Sequence, residues 1–206
     1  MPRRLDLPAL RRADLAADPI DQFGRWYAAA EREVPLCDAI SLATADSDGA
    51  PDARMVLLKG FGADGFHFHT NHESAKGRQL AANPRAALVV YWREMDRQVR
   101  VRGVVAKLAE ADSDRYFASR PPQRQLGAWA SPQSRPLRDH AELEQRLAEV
   151  AAQFGNAAVT RPPHWGGFVL RPGAIEFWQG VAERLHDRFL YERDGDEGWR
   201  ITRLAP

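Results

Sequence analysis

The stretch EFWQGVAERLHDR, residues 176–188, brings a tryptophan, two arginines and a histidine together and decides how the fold is interpreted. Arg184, His186 and Arg188 alternate, so in an extended strand their side chains would point to one face. Cationic groups on one face repel each other, and such a row is tolerated where water or an anion lies in front of it. Trp178 adds a flat apolar surface that suits a planar ring. The pattern alone leaves open a solvated edge strand with a structural tryptophan, or one part of an anion-binding site.

Composition limits the classes of protein to which the chain can belong. The 206 residues are 44% hydrophobic and 28% charged, which is enough for one globular core. The 29 basic and 28 acidic residues nearly balance, so neither nucleic acid nor a membrane surface is an expected partner. No apolar run approaches the ~20 residues of a membrane helix. The single cysteine, Cys37, and first residues without a secretory pattern predict a cytoplasmic protein.

Hydrophobic periodicity predicts many strands with helices between some of them. Helices are predicted over residues 18–30, 73–82, 111–119 and 138–154. Strands are predicted over residues 39–45, 53–59, 66–70, 86–92, 98–108, 168–170, 175–178, 185–192 and 199–203. Residues 1–17 lack periodicity and are predicted to form a mobile tail, with a segment folded over the rest of the protein as the alternative, which leaves a single domain over residues 18–206. Antiparallel strands joined by hairpins indicate a mainly β protein with helices (α+β), built on a closed or split barrel.

Six motifs follow one another along the chain in an order that is itself informative. They are RMVLLKGF (54–61), HTNHESAKGRQL (69–80), RQVRVRG (97–103), YFASRP (116–121), GAWASPQS (127–134) and the stretch from residue 176. Their order and spacing resemble the pyridoxine/pyridoxamine 5'-phosphate oxidase family over about residues 15–206, including the final RLAP. The resemblance implies a split antiparallel β-barrel of the FMN-binding type that forms a homodimer, with flavin in clefts between the subunits.

The resemblance also implies a set of residues that bind the flavin. Lys76 stands in the first turn of the predicted helix 73–82, where free N–H groups and the helix dipole favour a phosphate. Without the motif, Lys76 would be interpreted as a solvated helix lysine, and Gln98 as an ordinary exposed residue. The full expected set is Arg54, Met55, Val56, Leu57, Leu58, Lys59, His69, Thr70, Lys76, Gln98, Gln133, Ser134, Trp178 and Arg188.

One cofactor position departs from the pattern of the family. An arginine is usual where this chain has Ala75, so the flavin phosphate is expected to lose a charge-assisted hydrogen bond of ~1.5–3 kcal/mol. Arg78 is placed about half a helical turn from Ala75 in this interpretation, which makes it a poor substitute. The sequence therefore predicts weaker FMN retention than is normal for the family.

A second group of residues is implied for the substrate and its phosphate. Arg54 and Lys59 have opposite parity on an ideal strand, so they are expected to serve different anions. Arg124 stands where the family usually has serine; it could hold phosphate bidentately, narrow the pocket, or be a surface arginine in a Pro-rich loop. The expected substrate-binding residues are Lys59, Tyr116, Arg120, Arg124, Arg184, Leu185 and His186.

Arg184 and His186 are the expected catalytic residues, which the resemblance puts against the substrate ring opposite the flavin. The implied chemistry moves a hydride from the substrate C4' carbon to the flavin and removes a proton from its amine or hydroxyl. Histidine is a common general base, so His186 could accept this proton, but it could instead hydrogen-bond the ring hydroxyl. Arg184 could stack on the ring and stabilise developing charge.

The expected function is that of an FMN-dependent oxidase making pyridoxal 5'-phosphate from pyridoxine or pyridoxamine 5'-phosphate, with O2 as acceptor and H2O2 as product. Lys59 and the aspartate of RLHDR argue against the alternative enzyme, a related oxidase of the phenazine-pathway type. A non-catalytic flavin-binding protein is a third hypothesis, based on Ala75 and Arg124. No metal is expected, because no cysteine, and no carboxylate apart from Glu73, lies at a suitable ligand spacing from the histidines at positions 67, 69 and 72.

Overall fold

The computed structural model describes residues 8–195 and 198–206, and it is built around one antiparallel sheet with helices between its strands. The strands in these ranges are β1 (Ala39–Ala45), β2 (Pro51–Leu57), β3 (Gly60–Gly62), β4 (Gly65–Asn71), β5 (Arg85–Trp92), β6 (Arg97–Lys107), β7 (Trp165–Gln179), β8 (Asp187–Arg193) and β9 (Trp199–Arg203). The α-helices are α1 (Pro19–Glu33), α2 (Ala75–Ala82), α3 (Glu110–Ala118), α4 (Pro122–Ala130) and α5 (His140–Phe154). Among the described residues, no helix is both long enough and apolar enough to span a membrane.

The sheet curls because strand β7 belongs to two neighbouring sets of strands. The order is β2-β1-β5-β6-β7-β4-β3, and β8 and β9 continue from the other part of β7. Near its start β7 pairs with β4, where Gly167 faces His69, and near its end it pairs with β8, where Trp178 faces Arg188. A register shift at Gly103 of β6 lies between these ends, and a Cβ at that glycine would overlap a backbone carbonyl of β7. The result is the split antiparallel β-barrel that the sequence predicts.

Helix α1 and one face of the sheet enclose the hydrophobic core. Strand β1 alternates as expected, with Ile40 and Leu42 buried and their neighbours half-exposed. Helix α1 begins where predicted, because the Asp18 side chain accepts a hydrogen bond from the Ile20 N–H at 2.7 Å. From this helix the Phe23 ring packs edge-on against a phenylalanine of β4, with 4.9 Å between ring centroids. The core thereby determines which face of each strand points outward, and the outward face carries part of the candidate site.

Several elements differ from the sequence-based expectation, and among them the short strand β3 is not predicted at all. The sequence predicts no helix after Pro121, but α4 begins at Pro122, the first position of a helix, where proline's missing N–H leaves no bond unmade. The sequence predicts two short strands, 168–170 and 175–178, which are parts of the single strand β7. Its Pro172 lies opposite Gly103, beside the register shift, so the proline does not end the strand. The other predicted helices and most strands are confirmed to within a few residues.

The segment before α1 packs on the barrel. The Leu10 N–H donates to Asp187 Oδ2 at 2.8 Å, and the Tyr191 hydroxyl donates to the Ala16 carbonyl at 2.8 Å. Leu10, Leu15 and Ala16 are buried. This packing differs from the expectation of a mobile tail for residues 8–17, while residues 1–7 of that predicted tail lie outside the described part of the chain.

Candidate active site

A cavity of about 540 Å³ opens between the barrel and helices α2, α3 and α4. Eleven predicted cofactor or substrate residues line it: Met55, Val56, Leu57, Lys59, His69, Thr70, Lys76, Tyr116, Arg120, Arg124 and Gln133. Four of these are cationic, and no aspartate or glutamate is among the described residues that line the cavity. A cavity with this charge imbalance attracts a ligand that carries several negative charges.

Lys76 forms one end of the cavity together with two hydroxyl groups. Ser74 caps α2 by accepting a hydrogen bond from the Gly77 N–H at 3.3 Å, which puts Lys76 in the first helical turn. The Lys76 ammonium is buried, 3.3 Å from Thr70 Oγ1 and 3.4 Å from Ser74 Oγ. The Thr70 hydroxyl in turn donates to Gln133 Oε1 at 3.0 Å. Burial, and then the nearby Arg54 cation, lower the pKa of Lys76.

Arg54, predicted as a second phosphate cation, does not line the cavity. Its guanidinium donates to Thr44 Oγ1 at 2.6 Å, to Asp52 Oδ2 at 2.6 Å and to Gln79 Oε1 at 2.9 Å. Hydrogen bonds from Arg54 and Gln79 hold the pKa of Asp52 below its ordinary value. Arg54 therefore joins β1, β2 and α2 into the frame that supports Lys76, and its direct contact with a phosphate stays a prediction.

Arg78 lies closer to position 75, where the family usually has arginine, than the sequence pattern predicts. Three residues along an α-helix turn the side chain by about 300°, which makes residues 75 and 78 neighbours on one face and the predicted half-turn separation wrong. The Arg78 guanidinium bends back and donates to the Glu73 carbonyl, at the N-terminal end of α2. Its charge therefore lies at the same end of the helix as Ala75 and Lys76.

Arg120 and Arg124 provide cations at another part of the cavity. Arg120 lies over the indole of Trp165, with its Cζ 4.5 Å from the ring centroid, and its Nη1 is buried with no hydrogen-bond partner among the described residues. Burial lowers the pKa of Arg120. Lys59 also lines the cavity, although its ammonium is paired with Asp38 at 2.7 Å. The unpartnered guanidinium nitrogen is suited to an anionic oxygen of a ligand.

His69 forms the wall between these cations. Its ring stacks on Tyr116 with 4.0 Å between centroids and on Trp165 with 5.4 Å. Both ring nitrogens are buried without a partner among the described residues, and burial lowers the pKa of His69 to about 4. A Cβ at Gly167 would lie 2.9 Å from His69 Nε2, so the glycine makes room for the ring. At neutral pH the wall therefore holds a neutral imidazole.

Trp165 is a cavity residue that sequence reasoning missed. It contacts both His69 and Arg120, so it holds the wall and one cation at once. The sequence signal for this position is the pair of glycines that follows Trp165. Gly166 leaves space for the ring of His72, and Gly167 leaves space for the ring of His69. Among the other predicted residues, Leu58 is buried in the core and Ser134 has a left-handed backbone with φ of 68°; neither lines the cavity.

Gln98, Trp178 and Arg188 lie outside the cavity, on the outward face of the sheet. They form one cross-strand row on β6, β7 and β8, in which Trp178 faces both of the others. Along β7 the row is about 36 Å from Gly167, at ~3.3 Å per residue. The structure thus separates the predicted residues of one chain into a cavity group and a sheet-face group.

The segment with Arg184 and His186 is not the strand that the sequence predicts. Strand β8 begins at Asp187, and Glu183 and Arg184 have left-handed φ angles of 59° and 62°. The three alternating cations therefore do not share a strand face, because the chain turns before β8 starts. The His186 ring packs on Trp178 with 4.7 Å between centroids, and its Nδ1 accepts a hydrogen bond from the Val181 N–H at 3.3 Å. Leu185 in the same turn is exposed.

The fold is a split barrel, and its cavity is lined by four cationic side chains. Residues 28–154 match the family model described as pyridoxamine 5'-phosphate oxidase, and residues 165–206 match the pyridoxine 5'-phosphate oxidase C-terminal dimerisation region. The chain therefore belongs to the pyridoxamine 5'-phosphate oxidase family, as the motifs predict. The match to a dimerisation region supports the predicted homodimer.

Individual relatives extend over nearly the whole chain. The pyridoxine/pyridoxamine 5'-phosphate oxidase of Cupriavidus metallidurans is 51% identical over 205 residues, which cover 99% of this chain and 96% of the relative. That of Rubrobacter xylanophilus is 53% identical over 213 residues, covering 98% of each. Among solved structures, PhzG from Burkholderia lata 383 in complex with tetrahydrophenazine-1-carboxylic acid has a TM-score of 0.90 and 34% identity, covering 98% of this chain and 100% of that one. A pyridoxamine 5'-phosphate oxidase-related, FMN binding protein from Nostoc punctiforme shares the fold, with a TM-score of 0.72, 19% identity, and coverage of 89% of this chain and 96% of that one.

Proposed function

We propose that the protein is an FMN-dependent oxidase that converts pyridoxine 5'-phosphate or pyridoxamine 5'-phosphate to pyridoxal 5'-phosphate. The observation that carries this proposal is the cavity with four cations and no carboxylate among its described lining residues. Lys76 lies on α2, whereas Arg120 and Arg124 lie beyond α3 and on α4, so the charges are divided between different walls. This division supports two separate anionic groups, one on a cofactor and one on a substrate.

The residues around Lys76 fit the phosphate of FMN. Among the described residues the buried Lys76 ammonium has hydroxyl groups as its hydrogen-bond partners, so it carries a large desolvation cost, which a phosphate would offset. The first turn of α2 adds free N–H groups, while the Thr70 hydroxyl, which donates to Gln133, holds the Lys76 ammonium in place. Lys76, Thr70 and Gln133 would hold the cofactor there. The chemistry that the flavin supplies when bound is acceptance of a hydride from the substrate C4' carbon and passage of the electron pair to O2, with H2O2 as product.

A second copy of the chain would complete the site. The row of Gln98, Trp178 and Arg188 lies on an outward sheet face that also exposes Tyr91, the cross-strand partner of Gln98, by 53%. Met55, on the edge strand β2, is 64% exposed. Exposed apolar side chains on a sheet face are typical of a surface that another protein covers. We therefore propose that the sheet face of one copy meets the cavity of the other, which brings the two groups of predicted residues to one flavin.

His186 would act as a binding group in this site. Because the Val181 N–H donates to Nδ1, the neutral ring carries its hydrogen on Nε2. Nε2 then donates a hydrogen bond, which suits the ring oxygen of a B6 substrate, whereas a base needs an accepting nitrogen. Arg184, in the same turn, would supply the cation against the substrate ring.

A related oxidase acting on a phenazine ring is the second candidate function. The TM-score of 0.90 to PhzG, which binds tetrahydrophenazine-1-carboxylic acid, favours it. The unpartnered nitrogen of Arg120 and the neighbouring Arg124 favour a phosphorylated substrate instead. The predicted cytoplasmic location and single-domain boundary at residue 18 stay predictions.

Oxygen consumption by the FMN-loaded protein tests the proposal. The substrates are pyridoxine and pyridoxamine 5'-phosphates, their unphosphorylated forms, and tetrahydrophenazine-1-carboxylic acid. We expect turnover with the phosphorylated vitamers and peroxide as product. Peroxide with the phenazine alone would support the second candidate, and a yellow protein that consumes no oxygen with any substrate would indicate a flavin-binding protein without turnover.

A further inference from the structure

Arg188 is held from several directions by this chain's own groups. Its Nε and Nη2 each lie 2.9 Å from Glu176 Oε1, and its Nη1 donates to the Ala205 carbonyl at 2.8 Å. The backbone is fixed as well, because the Leu204 N–H donates to the Arg188 carbonyl at 2.9 Å. One carboxylate and two residues of the C-terminal segment thus determine where the guanidinium points.

Glu176 is unusual for a charged residue on the outward sheet face, because it is only 7% exposed. Its Oε2 accepts a hydrogen bond from Arg100 Nη1 at 3.1 Å, so the carboxylate lies between two guanidinium groups. A buried carboxylate is retained at a cost in desolvation, and the loss of either member of such a pair leaves the other charge uncompensated.

The register explains how Glu176 reaches Arg188 without entering the row of flavin residues. Trp178 is the cross-strand partner of Arg188, and Glu176 lies two residues earlier on the same face of β7. It is therefore the diagonal neighbour of Arg188, a separation that long side chains can bridge. From this position the carboxylate orients the guanidinium while Gln98, Trp178 and Arg188 stay open on the sheet face.

We propose that Glu176, assisted by the Ala205 carbonyl, is a positioning residue that holds Arg188 ready for the flavin. This inference rests on the proposed function, in which Arg188 contacts FMN. A free arginine loses its rotamer freedom when a ligand binds, whereas an arginine already fixed by a carboxylate has lost that freedom on folding. Pre-organisation of this kind raises affinity for the cofactor without any contact between Glu176 and FMN.

A double-mutant cycle on FMN binding by the full-length protein tests the proposal. The dissociation constant is measured by flavin fluorescence quenching during reconstitution of the apoprotein. We expect Glu176→Gln and Arg188→Met each to raise it about tenfold, within the coupling range of contacting residues, and the double variant to be no weaker than Arg188→Met. Additive effects of the two substitutions would overturn the positioning role, because they would show that Glu176 acts without Arg188.

Two further variants complete the design. Glu192→Gln removes another glutamate–arginine pair on the same sheet face, 3.5 Å from Arg200, and is expected to leave the dissociation constant within twofold. Removal of residues 205 and 206 deletes the Ala205 carbonyl with Glu176 intact, and is expected to weaken FMN binding even if Glu176→Gln does not fold. If Arg188→Met binds FMN normally, the proposed flavin contact fails; if it weakens binding while Glu176→Gln does not, only the positioning role fails.

Discussion

The Lys76 ammonium lies 3.3 Å from the Thr70 hydroxyl, and that hydroxyl donates to Gln133 at 3.0 Å. This chain of contacts joins α2, β4 and the segment after α4 at one point of the cavity. The groups that form these contacts are hydroxyls, a side-chain amide and the ammonium itself, and none of them is a carboxylate. The protein thus holds a buried cation whose natural counter-charge would come from a ligand.

Removal of this cation should affect stability and binding in opposite directions. Burial lowers the pKa of Lys76, which means that the charged form is disfavoured in the folded apoprotein. Lys76→Met should therefore raise the melting temperature of the apoprotein and raise the FMN dissociation constant by a factor of about ten or more. Calorimetry without flavin and fluorescence titration with FMN measure the two effects. A less stable apoprotein that still binds FMN normally would contradict both the cost of the buried charge and its role.

Restoration of the family arginine should strengthen FMN binding. Ala75→Arg would add a charge-assisted hydrogen bond of about 1.5–3 kcal/mol, so the dissociation constant is expected to fall at least tenfold. Arg78 lies at the same end of α2, and Arg78→Ala in the natural background is expected to weaken binding modestly. Equal FMN affinities of the natural protein and Ala75→Arg would show that the alanine at this position does not weaken FMN binding.

The half-buried histidines His69 and His72 should make the apoprotein sensitive to mild acid. Burial lowers the pKa of His69 and of His72 from 6.5 to about 4 in each case. The unfolded chain therefore binds more protons between pH 6.5 and 4, so the stability is fully present above pH 6.5 and is lost as the pH falls through this window. One such proton corresponds to a slope of at most about 1.4 kcal/mol per pH unit.

Substitution of either histidine by phenylalanine retains an aromatic ring but removes the titratable group. The two variants therefore test the source of this pH dependence. His69→Phe and His72→Phe should each flatten the dependence of unfolding free energy on pH below 6.5, and the double variant should flatten it twice as much. Urea unfolding at several pH values without flavin provides the slopes. Identical slopes in all four proteins would mean that neither ring is held neutral by burial.

Local sequence patterns were sufficient for most of the fold but not for the shape of the site. The strand period and the turn signal after it predicted β1, whose residues alternate between buried and half-exposed, and the Asp18 cap predicted the start of α1. The turn before β8 was missed, because the left-handed conformations of Glu183 and Arg184 belong to a loop packed by His186 and are not encoded in alternation. Helix α4 was missed because prolines that usually end a helix begin this one.

The division of the site into two groups depends on strand register, which no local pattern reports. Six ordered motifs identified the residues of the site. Their separation follows from the sheet, because β7 pairs with β4 at one end, near His69, and with β8 at the other end, near Trp178. The same pairing explains why motifs distant in sequence, such as those of Gln98 and Arg188, form one row. Contacts of this kind are set by the whole sheet.

His186 should influence substrate binding more than the chemical step. Its Nδ1 already accepts the Val181 N–H, so Nε2 is a donor in the neutral ring. His186→Asn is expected to raise KM for pyridoxine 5'-phosphate about tenfold while kcat changes by less than about threefold, the pattern of lost binding. Steady-state oxygen consumption at saturating FMN separates the two constants. A fall in kcat of a hundredfold or more at unchanged KM would instead assign His186 as the base.

Arg124 should contribute to the choice of a phosphorylated substrate. It lines the cavity beside Arg120, whose buried Nη1 lacks a partner among the described residues, and the two cations would share one phosphate. Arg124→Ser restores the residue usual in the family and is expected to raise KM for both phosphorylated vitamers about tenfold, the loss of one charge-assisted hydrogen bond, while FMN binding is unchanged. Arg138→Ser, on an exposed arginine before α5, is the matched control and should leave KM unaltered. A lower KM for Arg124→Ser would contradict the anchoring role and would support the alternative that the arginine narrows the pocket.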